Sequence, residues 1–174
     1  MTTAALPDLA DAFREAFRHH PSGVAVITAD PGDGPVALTV SSLISVSAAP
    51  PTVAFSLSMK SSASGALLRA ETLVIHFIRR ADLPIARLGA TSGVDRFAGV
   101  DWERLPTGEP RYTGIKTWFR ARVVGNLPLQ GASVIAAELL DGHAEGSEGG
   151  PEALSMVYLD RRWHGLQELL ESRL

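Results

Sequence analysis

The sequence predicts an all-β domain carrying a few short peripheral helices. Three observations predict it. Short apolar runs, at intervals of roughly ten to twenty residues, are separated by Pro, Gly and Asp turns. The run around Val53 alternates strictly, with Val53, Phe55 and Leu57 facing one way and Ala54, Ser56 and Ser58 the other. Helical periodicity is confined to brief segments between these runs. Many strands with few helices imply a barrel or sandwich.

The elements follow in order. Asp8 is placed to cap a helix on which Leu9, Ala12, Phe13, Ala16 and Phe17 share one face, ended by Pro21-Ser22-Gly23. Val24 to Ala29 reads as a strand, stopped by the turn Asp30-Pro31-Gly32-Asp33-Gly34-Pro35. Val36 to Ser41 is its expected hairpin partner. Pro50-Pro51 precede the alternating strand, and a short helix is expected over Ser64 to Ala70. A strand from Leu73 to Ile78 comes next, then a helix capped by Asp82 with Pro84 in its first turn.

Gly89 to Lys116 shows no period, and a loop of that length in a compact domain carries function or moves. Trp118 to Val124, Ser133 to Leu140 and Leu154 to Leu159 are the last expected strands. Asp141 to Pro151 reads as an exposed loop and Leu166 to Leu174 as a terminal helix. With 174 residues and no linker or repeat, the chain is expected to be a single domain, with its core at about residues 11–166.

Composition narrows the function. A net charge of -3 gives a phosphate backbone little to bind, so nucleic acid is not an expected partner. The absence of cysteine excludes disulfides, thiolate nucleophiles and iron–sulfur ligation. No basic start followed by an apolar run marks a signal peptide, and no apolar stretch approaches the ~20 residues that span a bilayer. A cytoplasmic protein without a membrane partner is the expectation. No phosphate-loop lysine motif, dinucleotide-fold glycine turn or nucleophile elbow is present, and the histidines show no metal spacing.

Two polar stretches remain. Leu38-Thr39-Val40-Ser41-Ser42 closes a predicted strand, and hydroxyls there also serve to tie turns. Lys60-Ser61-Ser62-Ala63-Ser64 sits between a strand and a helix. Its hydroxyls, backbone N–H groups and ammonium have the chemistry of an anion site, although serines at such a junction also cap helices.

Taken together, these segments resemble the short-chain flavin reductase family. The match runs through Ser22-Gly23-Val24-Ala25-Val26-Ile27-Thr28, Thr39 to Ser42, Ser45 to Ser47 before Pro50-Pro51, and Lys60 to Ser64. It continues with Asp95-Arg96-Phe97 and Leu159-Asp160-Arg161-Arg162-Trp163, so it covers roughly Asp11 to Leu166. The resemblance implies a Greek-key split β-barrel of the FMN-binding type and a homodimer. It implies reduction of FMN, or of FAD, by NAD(P)H, with reduced flavin passed to a partner monooxygenase or kept as a prosthetic group. Thr39, Val40, Ser41 and Ser42 would then lie along the flavin ring. Lys60, Ser61, Ser62 and Ser64 would hold its phosphate, with Arg96 as a second cation beside Phe97.

His76 stands where the family usually has asparagine. It would bond the pyrimidine edge if it meets the flavin, and otherwise reads as a satisfied core residue. Arg96 also fits a surface arginine over a buried ring. Trp163 replaces the usual tyrosine and either covers the nicotinamide or caps the core. Where many members carry Gly-Asp-His, this chain reads Gly131-Ala132-Ser133, so Ser133 stands in the position associated with the nicotinamide donor. Two other readings stay open: a non-catalytic flavin-binding or sensing protein, and a split barrel for haem or a deazaflavin.

Overall fold

A computed structural model describes residues 8–146 and 150–166. In chain order the elements are α1 (Leu9–Arg18), β1 (Ser22–Gly23), β2 (Ala25–Ala29), β3 (Val36–Val40), β4 (Ile44–Ala48), β5 (Pro51–Ser58) and α2 (Ser64–Arg69). They continue with β6 (Thr72–Phe77), α3 (Leu83–Ala90), β7 (Trp102–Arg104), β8 (Pro110–Tyr112), β9 (Trp118–Leu129), β10 (Ala132–His143), β11 (Met156–Leu159) and β12 (Arg162–Gly165). Seven strands form one antiparallel sheet in the order β3-β2-β6-β9-β10-β5-β4. β1, β11 and β12 form a smaller sheet, and β7 pairs with β8.

β2 explains why its sequence reads as an unbroken apolar run: all five residues are buried. Ala25, Ile27 and Ala29 face a barrel interior shared with Phe55, Leu57, Leu73, Ile75 and Ile135. Val26 faces the other way, into a second core with Ala86, Phe97, Tyr112, Ile115 and Met156. A strand covered on both faces loses the alternation that marks a half-buried one. Each large side chain taken fully inside contributes about 1.5–3 kcal/mol, so the two cores together hold the sheet in its curl.

The two ends of the sheet meet at a side chain. Beyond Ala54, β5 no longer pairs with β4, and Ser42 takes the vacated edge. Its hydroxyl accepts from the Ser56 N–H at 2.9 Å and donates to the Ser56 carbonyl at 3.3 Å. The sheet is thereby a barrel with a gap beside β3.

Several expectations need correction. The supposed loop from Gly89 to Lys116 contains the hairpin β7–β8, whose three-residue strands are too short to show a period. β4 was not foreseen, although Ile44, Val46 and Ala48 alternate with Ser45 and Ser47; four of its five residues are exposed, so the alternation marks no buried face. β9 and β10 each run for 12 residues. Register shifts at Ala136/Ala137 and Leu139/Asp141 absorb the poor strand formers, so Asp141 to His143 are strand rather than loop. The Asp82 carboxylate accepts the Arg79 N–H at 2.9 Å instead of capping α3. The helix expected over Leu166 to Leu174 lies, apart from Leu166, outside the described residues.

Candidate functional site

β3 is an edge strand, so one row of its backbone donors and acceptors is left outside the ladder. Its five residues span about 17 Å, and hollows adjoin both ends. At the first, about 160 Å³ lies between Val36, Ala37, Ser62, Ala63, Asp95 and Arg96. At the second, about 150 Å³ lies between Val24, Thr39, Val40, Ser41, Ala90, Tyr158 and Trp163. Beyond it opens a groove of about 730 Å³, walled by Phe13 and Phe17 of α1, by Ser41, Ser42 and Ser56, and by the turn from Tyr158 to Arg161. Ser41 and Tyr158 border both of these last two spaces.

The loop before α2 is shaped by its own hydroxyls. Ser64 is fully buried and donates to the Ser58 carbonyl at 2.7 Å. The Ser61 N–H donates to the same carbonyl at 3.1 Å, and the Ser61 hydroxyl accepts from the Ala63 N–H at 3.3 Å. Met59 is tied to Gly131 across the sheet. Lys60 and Ser62 are exposed, and the Lys60 ammonium and Ser62 hydroxyl have no partner among the described residues. With six residues, α2 is too short to contribute much field of its own. An anion in the hollow would therefore depend on the side chains of Ser62 and Arg96, with Lys60 nearby in sequence.

Arg96 is 7% exposed. Its Nε and Nη2 donate to the Thr91 carbonyl at 3.1 and 2.9 Å, and Nη1 to the Ala37 carbonyl at 2.5 Å. Among the described residues no carboxylate lies within ion-pair distance. Burial draws its pKa below the usual arginine value, although the group stays charged. A buried cation without a counter-ion is costly, and an anion in the adjoining hollow relieves that cost. Phe97 stacks on Tyr112 at 5.1 Å, and the Tyr112 hydroxyl donates to the Arg96 carbonyl at 2.7 Å. Phe97 thus supports Arg96 from behind.

At the other end the hydroxyls divide. Thr39 donates to the Ala86 carbonyl at 2.7 Å, an approach allowed because Gly89 carries no Cβ to meet the Thr39 hydroxyl. Ser42 is held by Ser56. Ser41 is exposed and without a partner among the described residues. Trp163 packs edge-on against Tyr158 at 5.1 Å, and the pair forms an apolar wall beside Val40.

Six of the sequence-derived positions line none of these spaces: Lys60, Ser61, Ser64, His76, Phe97 and Ser133. His76 is wholly buried, with Nδ1 donating to the Val26 carbonyl at 3.0 Å and Nε2 accepting from the Tyr112 N–H at 3.1 Å. Both nitrogens are occupied inside the protein, which fixes the neutral Nδ1–H tautomer. Burial, reinforced by the charge of Arg111 and only partly offset by the Val26 bond, depresses its pKa to about 4. Ser133, 3% exposed, lies on the strand face that Ile135 and Ala137 turn toward the barrel core, and it borders none of the three hollows. Sequence reasoning missed Tyr158, Arg161 and the aromatic pair of α1. The only available signal was the Asp160-Arg161 dipeptide between two strands.

The flavin reductase like domain family model matches residues 17–167. The chain belongs to this family. An NADH:FMN oxidoreductase of Rhodococcus qingshengii is 39% identical over 167 residues, covering 92% of this chain and 86% of that one. The crystal structure of a flavin reductase domain protein from Arthrobacter sp. FB24 superposes with a TM-score of 0.85 at 24% identity, covering 94% of this chain and 99% of that one. BorF, the flavin reductase component of a bacterial two-component tryptophan halogenase, superposes with a TM-score of 0.77 at 23% identity, covering 92% and 99%. These likenesses place the seven-stranded barrel among flavin reductase folds.

For a flavin reductase-like chain the group to test against the site is a flavin mononucleotide. The donor set fits it. An anionic tail finds Ser62 and Arg96, with Asp95 beside them, at one end of β3 and the exposed Lys60 two residues before Ser62, while a flat ring finds Val40, Trp163 and Tyr158 with Ser41 at the other. Among the described residues no helix is long and apolar enough to cross a membrane.

Proposed function

We propose that the chain is an NADH-dependent FMN reductase whose flavin lies along the open edge of β3. The observation that carries this reading is the pairing of a hydroxyl-bearing hollow that holds Arg96 beside Asp95 with an aromatic-walled one at opposite ends of a single edge strand. The name of the 39%-identical Rhodococcus relative supports NADH and FMN as the pair, and FAD is accepted where the longer tail can leave the groove. We read residues 1–174 as one domain with its core at about residues 11–166, and place it in the cytoplasm, where reduced nicotinamide is available.

The bound flavin supplies the two-electron acceptor chemistry. The protein's own part is positional. Lys60, Ser62 and Arg96 hold the phosphate, Ser41 and the outer backbone of β3 bond the ring's polar edge, and Tyr158 with Trp163 exclude water from one side. Hydride donation needs no general base, so orientation supplies much of the rate. The groove beside Ser41 admits the nicotinamide.

A homodimer is supported by the apolar side chains left exposed on β4 and β9, among them Val46, Val124, Leu127 and Leu129. A flavin-dependent monooxygenase is the proposed recipient of reduced flavin, by analogy with the component role stated for BorF. Ser133 favours a second reading, a flavin-binding protein that does not turn over, because the position linked to the donor is buried away from the groove. Haem is less well served, since both nitrogens of His76 are occupied.

Anaerobic titration of the FMN-loaded protein with NADH and NADPH tests the proposal. Bleaching of the flavin spectrum by NADH is expected. A yellow protein that neither nucleotide bleaches contradicts the reductase reading and supports the binding-only one.

A further inference from the structure

The turn joining β11 to β12 is built in an unusual way. Asp160 and Arg161 have φ values of 52° and 59°, both in the left-handed region. Two-residue hairpin turns of this kind favour Asn-Gly or Asp-Gly, because a Cβ at the second position is strained. An arginine there costs stability that glycine would not. Such an outlier persists where the surroundings hold it, and it points to a role for the side chain.

The surroundings do hold it. The Asp160 N–H donates to the Arg18 carbonyl at 2.9 Å, and the Asp160 carboxylate meets His19 at 2.7 Å. The turn is thereby fastened to the end of α1, and both elements wall the 730 Å³ groove. Three arginines line that groove. Arg14 pairs with Asp11 and Arg18 with Glu15, whereas Arg161 has no ion-pair partner among the described residues. On a chain of net charge -3, the groove has an open cation at its rim.

We propose that Arg161 reads the diphosphate of the electron-donating dinucleotide and so sets its affinity. The inference rests on the reductase reading above. The flavin's own phosphate has its cations at the opposite end of β3, in Lys60 and Arg96, so an anion beside Arg161 belongs to a second ligand. The groove continues from Ser41, which places a nicotinamide stacked near the ring within reach of a tail that passes Arg161. Phe13 and Phe17, their ring centroids 4.5 Å apart and both exposed, supply an apolar wall for the remainder of that ligand.

Two variants separate charge from strain. Arg161→Gln keeps the side-chain strain and removes the charge, while Arg161→Gly removes both. Binding of ADP-ribose, and of NADH as its 1,4,5,6-tetrahydro analogue, which cannot donate a hydride, is measured by calorimetry on the FMN-loaded protein, alongside FMN affinity on the apoprotein and Tm. Both variants are expected to weaken ADP-ribose and NADH about three- to tenfold and to flatten the salt dependence of binding. FMN affinity stays unchanged. Arg161→Gly raises Tm by about 2–4 °C, a shift a purely structural role would also produce, but without the loss of ligand. Parent-like binding of both nucleotides by both variants overturns the inference, as does an equal loss of FMN. If the parent reduces its flavin with NADH in either case, the reductase reading survives that failure. A parent that binds neither nucleotide overturns both.

Discussion

The two hydroxyl-rich stretches look alike in composition and behave differently. In Thr39 to Ser42, Thr39 fastens α3 through the Ala86 carbonyl and Ser42 bridges the barrel ends through Ser56, so Ser41 alone stays open. In Lys60 to Ser64, Ser61 and Ser64 fold the loop on itself, and this leaves Lys60 and Ser62 facing outward. Each stretch uses part of its polar content to fix the geometry that presents the rest. A hydroxyl's presence in a binding motif therefore says little about what it touches. Position within the local hydrogen-bond pattern decides.

That division yields a double dissociation: changes at engaged groups should act on stability, and changes at open groups on ligand affinity. The largest effect is expected at His76, the most fully engaged polar residue. The unfolded chain takes up a proton below about pH 6.5, whereas the native ring does so only below about 4. Between those values the unfolded state binds more protons, so stability falls as pH is lowered through the window. The loss is about 3 kcal/mol. Urea denaturation across that range should show it, and the profile of His76→Gln should be flatter than that of the parent. Identical pH profiles would mean that His76 does not hold its neutral form.

A smaller effect separates neighbours on one strand end. Ser42→Ala should lower stability by about 1 kcal/mol, through its two bonds to Ser56. Ser41→Ala should stay within about 0.5 kcal/mol of the parent and weaken riboflavin and FMN alike. Denaturant midpoints and flavin titrations of the pair decide it. Reversed behaviour would break the distinction between engaged and open groups.

Much of the barrel was legible because its strands obey simple patterns: alternation in β5, and a continuous apolar run where β2 is buried on both faces. β7 and β8 were not, since three residues cannot carry a period, nor was β4, whose alternation of Ile44 and Val46 with serines marks no buried face. At the candidate site, Lys60, Ser62, Ser41 and Arg96 could be proposed from type and order. The burial of Ser133 and the two bonds of His76 could not, because both depend on contacts with residues distant in sequence, Leu57 and Tyr112 among them. The role of the 158–161 turn was hidden for the same reason.

The most direct measurement compares FMN with riboflavin, which lacks only the phosphate, on the parent and on a Lys60→Met/Ser62→Ala double variant. Calorimetry should show FMN weakened at least about tenfold, or about 1.4 kcal/mol, with riboflavin affinity and Tm unchanged. Equal losses for both ligands, or none for either, would contradict the assignment of the flavin phosphate to this end of β3.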